Sequence, residues 1–138
     1  MIVVDTNLIA ALVIPGDKNE AAEQVFERDP HWAAPLLWKS EFRNVLAVGL
    51  RQKAFDLEAA VFLMEEAEDL LKEDEFDVPS APILDLASRS RLSAYDCEFV
   101  ALAKQLGVPL LTWDRAILAA FPETAVSPEP FVRSPRIP

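Results

Sequence analysis

The chain has 138 residues, 51% of them apolar, which suits one domain with a real core. A single cysteine, Cys97, excludes an internal disulfide and fits a reducing compartment. The start of the chain lacks a basic segment, and the apolar run Leu8 to Ile14 is too short for a bilayer, so a cytoplasmic protein without membrane contact is expected. The net charge is −10, but the stretch Asp56 to Asp77 carries ten acids against Lys72 alone, leaving the rest of the chain near neutrality, so charge does not exclude a nucleic-acid partner.

Ile2-Val3-Val4 reads as a buried strand. Thr6 to Val13 follows as a short helix closed by Pro15-Gly16, and Asp17 can cap a second helix to about Asp29, with Ala22, Val25 and Phe26 inward. Trp32-Ala33-Ala34 is a short strand candidate, and Pro35 suits the first turn of a helix reaching about Lys53. Asp56 to about Asp74 is a long amphipathic helix with Leu57, Ala60, Val61, Met64, Ala67 and Leu71 on one stripe. Ser80 can cap a helix ending near Arg91, and Ser93 one that stops at Gly107. Leu110-Leu111-Thr112 is the second clear strand, followed by a helix from Asp114 to Phe121. From Pro122 to Pro138 the proline content predicts an extended or disordered tail, so the domain is expected over residues 1–121. Strands alternating with helices imply an α/β sandwich around a mostly parallel sheet.

Two acids break this pattern. Glu41 has Leu37, Trp38, Asn44 and Val45 as its helical neighbours, and Asp96 has Leu92, Ser93, Phe99 and Val100. Neither has a cation one turn away, and an unpaired carboxylate buried on such a stripe is costly. Asp5 ends the first strand and Asp114 follows the second, where α/β folds place their sites. If the four converge, each pair repels by ~3 kcal/mol at about 5 Å and an effective dielectric of 20. Oxygen ligands of that kind suit Mg²⁺ or Mn²⁺ rather than Zn²⁺. Structural alternatives stand beside this reading: Asp5 and Asp114 as helix caps, Asp96 as the last residue of a Ser93-x-x-Asp96 capping box, and Glu41 as partner to a distant arginine.

Val4-Asp5-Thr6-Asn7, Glu41 with Asn44-Val45-Leu46, Tyr95-Asp96 with Phe99 to Ala103, and Leu111-Thr112-Trp113-Asp114, in that order, resemble the PIN domain, in particular the VapC-type toxins of toxin–antitoxin pairs. The resemblance spans Ile2 to about Phe121. It implies a PIN-like sandwich and cleavage of RNA by metal-assisted, in-line attack of water. It further implies Asp5 and Asp96 as Mg²⁺ (or Mn²⁺) ligands, Glu41 and Asp114 completing the cluster, and Thr6, Asn7 and Thr112 in support. A cognate VapB-type antitoxin and a homodimer are implied in the same way. A PIN nuclease outside any toxin pair is the enzymatic alternative. A phosphoacceptor receiver module fits less well, since it needs paired acids after its first strand and a lysine where Thr112-Trp113-Asp114 stands.

The one histidine, His31, excludes a two-histidine ribonuclease and reads as a loop residue. Cys97 reads as a small buried hydrophobe. Glu98 points away from Asp96 on a helix and is left out of the ligand set, although it could bind a second ion. Trp38, Phe42, Phe55, Phe62 and Phe99 read as core, and Trp113 is the candidate for stacking on a base. Lys39, Arg43, Arg51, Lys53, Arg89, Arg91 and Arg115 could track phosphates or be ordinary solvated charges.

Overall fold

The strand β1 (Ile2–Val4) is buried at all three positions because it is the middle of the sheet. On one side lie β2 (Trp32–Pro35) and then β3 (Glu75–Phe76); on the other lie β4 (Leu110–Leu111) and then β5 (Ala125–Val126). Every pairing is parallel. Parallel strands covered on both faces need unbroken apolar runs, which Ile2-Val3-Val4 and Leu110-Leu111 supply. The computed structural model describes residues 1–135, and within them eight helices flank the five strands. None is long and apolar enough to cross a membrane.

The helices are α1 (Thr6–Val13), α2 (Asn19–Arg28), α3 (Leu37–Arg51), α4 (Leu57–Leu71), α5 (Ser80–Ser88), α6 (Ala94–Leu106), α7 (Arg115–Ala120) and α8 (Pro128–Arg133). The helix α6 packs on β1 and β2, so Cys97 and Phe99 to Ala103 are all buried. Its ends follow the residue chemistry: Ser93 Oγ accepts the Asp96 N–H at 3.1 Å, and Gly107 takes the left-handed conformation (φ +67°) that releases the chain. Asp56 caps α4 by accepting the Ala59 N–H.

Several boundaries differ from expectation. Pro35 belongs to β2 rather than to the first turn of α3, because it pairs with Phe76, the next residue's N–H (Leu36) donates to the Phe76 carbonyl at 2.9 Å, and the helix begins at Leu37. Lys18, not Asp17, occupies the cap of α2, without a side-chain bond. Pro79 occupies the cap of α5, and Ser80 is its first helical residue. The larger correction concerns the tail. Residues 122–135 are neither extended throughout nor disordered: Ala125–Val126 adds β5 to the sheet edge, and Pro128 starts α8. Prolines in a first turn remove only N–H groups that have no helical partner. Arg28 then fixes α8 from below, donating to the carbonyls of Val132 (3.2 Å) and Ser134 and lying 5.6 Å from the Phe131 ring. The part of the tail call that falls on residues 136–138 lies outside the described residues.

The turn joining α3 to α4 is tight. Phe55 folds its ring onto Gly49, where a Cβ would sit 2.3 Å from a ring carbon, and Lys53 adopts a positive φ of 58° to make the reversal.

Candidate active site

The strand order β3-β2-β1-β4-β5 reverses direction at β1, so the crevice between the carboxyl ends of β1 and β4 is the topological switch point. Asp5 leaves β1 there, and Thr112 and Asp114 leave β4. The helices α3 and α6 deliver Glu41 and Asp96 to the same place. A cavity of about 560 Å³ is lined by Asp5, Thr6, Asn7, Glu41, Asp96 and Asp114, with Leu37, Ser40, Asn44, Val45 and Tyr95 forming the rest of its wall. All four expected carboxylates therefore share one cavity. Thr112 is fully buried beneath it.

The cap readings of Asp5 and Asp114 hold alongside this placement, because each uses one oxygen for the helix. Asp5 Oδ1 accepts the Thr6 N–H at 2.8 Å, while Oδ2 accepts the Thr112 hydroxyl at 2.7 Å. Asp114 Oδ1 accepts from Ala116 N (2.9 Å) and Ile117 N (3.2 Å). Thr112 Oγ1 also accepts the Asp114 N–H at 2.9 Å and the Asn7 amide at 3.4 Å, so one hydroxyl ties both strand ends together. Among the described residues Glu41 pairs with no arginine; its Oε1 accepts the Thr6 hydroxyl at 2.7 Å. The Ser93–Asp96 cap uses the Asp96 backbone, which leaves the carboxyl at the cavity.

Burial pushes the Asp5 carboxyl up from 3.8 to about 6, against the pull of its bonds from Thr112 and Thr6; the charges of Glu41 and Asp96 push the same way. Burial also raises Glu41, opposed by the Thr6 hydroxyl and reinforced by Asp96. Asp96 is raised by burial and then by Asp114. These couplings are the mark of carboxylates gathered without a counter-charge. Among the described residues no three acidic, histidine or cysteine side chains are drawn close enough to form a finished metal cage. The donor set nevertheless fits a hard cation: it is all oxygen, and it includes a buried amide oxygen, Asn7 Oδ1, that has no hydrogen-bond partner among the described residues.

Glu98 lies outside the cavity lining. Burial raises its carboxyl, a bond from the Leu37 backbone at the start of α3 opposes this, and Glu41 and Asp77 reinforce it. Trp113 is half-buried and already engaged: Lys18 Nζ sits 4.3 Å over its ring, and its indole N–H donates to Glu129 at 3.3 Å. Lys39 pairs with Glu68 and Glu75, and Arg89 with Asp85, whereas Arg43, Arg51, Lys53, Arg91 and Arg115 make no salt bridge among the described residues. His31 pairs with Asp74 at 2.9 Å, away from the cavity. Ser40 carries no signal of its own in the sequence, where Leu37 and Tyr95 stand only as neighbours of Glu41 and Asp96. The helical spacing of Leu37, Ser40, Glu41, Asn44 and Val45 was the signal that they share a face with Glu41.

The sequence matches the PIN domain family over residues 2–123. Ribonuclease VapC3 from Pyrobaculum aerophilum is 30% identical over 124 residues, which is 88% of this chain and 95% of that protein. Among solved structures, PAE2754 from Pyrobaculum aerophilum superposes with a TM-score of 0.75 at 22% identity, covering 94% of this chain and 92% of the other. A toxin–antitoxin complex from Klebsiella pneumoniae gives 0.68 at 19% identity, covering 93% and 98%.

Proposed function

The chain belongs to the PIN domain family, and from that premise we propose that it is a metal-dependent endoribonuclease, the toxin of a type II toxin–antitoxin pair. The observation that carries this reading is the convergence of Asp5, Glu41, Asp96 and Asp114 from four different elements on one cavity. The ribonuclease relative and the toxin–antitoxin neighbour support the same assignment.

Asp5, Glu41, Asp96 and Asp114 would hold Mg²⁺ or Mn²⁺, with the Asn7 amide oxygen in support. When bound, such a cation would offset part of the cluster's negative charge, polarise a phosphoryl oxygen and make water more acidic. The chain's own contribution is orientation. Thr112 and the Thr6 backbone fix both oxygens of Asp5, and the Thr6 hydroxyl fixes Glu41. Asp96 and Asp114 each keep carboxylate oxygen uncommitted to a cap. In-line attack of water on the phosphodiester expels the 3′ oxygen, leaving 5′-phosphate and 3′-hydroxyl ends.

A toxin needs a silencing partner. The helices α3 and α4 expose Val48, Leu57, Val61 and Phe62, an apolar surface suited to an amphipathic helix. An arginine or lysine on that helix would reach the carboxylates and compete with the cation. A homodimer belongs to the same reading, and sedimentation of the purified chain measures it.

The test is purified protein on total RNA with Mg²⁺, Mn²⁺ or EDTA and mapped ends. The expected result is cleavage with either metal, none in EDTA, and 5′-phosphate products. Undiminished cleavage in excess EDTA, or 2′,3′-cyclic phosphate ends, would falsify the proposed chemistry.

A further inference from the structure

The carboxylates account for only part of the cavity wall. The remainder is Leu37, Ser40, Asn44 and Val45 from α3, and Tyr95, the residue before Asp96 on α6. Tyr95 is 65% exposed and Val45 is 37% exposed. A large aromatic ring left in solvent beside a polar cluster adds little to the core, so folding does not explain its presence there. Resting on the nuclease reading, the substrate raises a physical difficulty that this wall resolves. The cavity is rich in carboxylates, so phosphates beyond the one at the cation are repelled, and affinity has to come from uncharged parts of the nucleotide.

We infer that Tyr95, with Val45 and Leu37 beside it, forms a nucleobase subsite that stacks the base of the nucleotide adjoining the scissile phosphate, with Asn44 and Ser40 bonding its edge. The volume of about 560 Å³ accommodates a small-molecule-sized group such as one nucleotide. Sequence-specific recognition of RNA works on unstacked bases laid on aromatic rings, with amides and hydroxyls reading their edges. Trp113, the other aromatic near the cluster, is held by Lys18 and Glu129, whereas the Tyr95 ring is free to receive a base.

The experiment pairs Tyr95→Ala and Tyr95→Phe with an oligoribonucleotide cut at one mapped site, and with two versions of it carrying a single abasic ribose on either side of that site. KM and kcat are measured for each pair. Tyr95→Ala should raise KM by roughly tenfold with kcat nearly unchanged, and Tyr95→Phe should behave as the wild type. One abasic position should penalise the wild type by a similar factor and add no further penalty to Tyr95→Ala, the non-additivity expected of direct partners. An equal abasic penalty in both proteins, with normal cleavage by the wild type, overturns this inference and leaves the nuclease reading standing. A changed oligomeric state in Tyr95→Ala with unaltered KM and base preference also overturns it, placing the ring in a protein interface. Failure of the wild type to cut any RNA overturns the nuclease reading and the subsite with it.

Discussion

Replacing Asp5 by Asn should change the sign of its effect on stability between about pH 3 and about pH 7.5 when no divalent cation is present. The Asp5 carboxyl titrates near 6 in the folded protein against 3.8 in a free chain, so the folded state holds this proton more tightly. Its contribution to stability is full below 3.8 and is lost as pH rises through about 6. The difference corresponds to about 3 kcal/mol at neutral pH, present as a cost of keeping the carboxylate ionised. Asn removes that cost but also loses a hydrogen bond. Its amide nitrogen would face Thr112 Oγ1, whose lone pairs already accept from Asp114 N and the Asn7 amide, a loss of about 1 kcal/mol. Asp5→Asn should thus be less stable than the wild type by about 1 kcal/mol at the lower pH. At the higher pH it should be more stable by about 2 kcal/mol. Urea titrations in EDTA at the two pH values measure both differences. A difference that does not vary with pH would refute the claim that Asp5 is buried at the cost of its charge.

Asp96→Asn keeps the Ser93 cap, which uses the backbone, so its stability should change by less than about 0.5 kcal/mol while cleavage falls on the order of 100-fold or more; unfolding curves beside RNA cleavage rates check the pair. Thr112→Val strips the hydroxyl that serves Asp5, Asn7 and Asp114 at a fully buried position. It should cost about 1–3 kcal/mol in chemical denaturation. Gly49→Ala forces the tip of the Phe55 ring aside but gains about 0.5–1 kcal/mol of helix propensity, so its net cost should be no more than about 1 kcal/mol, and in a Phe55→Ala background it should stabilise, read as a double-mutant cycle.

The central strands, α1, α6 and the four acids were legible because each rests on a local rule: a β-branched run, a cap, a left-handed glycine, or a carboxylate set among apolar neighbours. The strand β3 was not. Glu75–Phe76 is two residues long, lies within the acidic run, and becomes a strand only because Ala34 and Leu36 donate to the carbonyls of Asp74 and Phe76. Nothing within the segment signals that. The tail was misread for a different reason. Proline content predicts an extended or disordered tail, yet Pro128 and Pro130 fall in the first turn of α8, where proline is tolerated, and the helix is held by Arg28 more than a hundred residues earlier. The partner of Glu41 was also out of reach. A threonine hydroxyl 35 residues away leaves no mark in the local pattern, so the sequence offers only a distant arginine as the structural alternative to metal binding.

The bond between Thr112 and Asp5 spans 107 residues of sequence, which makes the cavity an event in time as well as a place. At about 5–20 residues per second on the ribosome, Asp5 emerges many seconds before the strand that orients it. Throughout that interval β1 lacks its β4 neighbour, and a released fragment ending before Leu110 has three of the four acids but lacks the Thr112 hydroxyl that holds the second oxygen of Asp5. Pairing that depends on such distant segments is slow to form, since loop closure must precede any gain. A site encoded this way is withheld by topology alone from any chain that stops before β4, and it is complete only once Asp114 has been made.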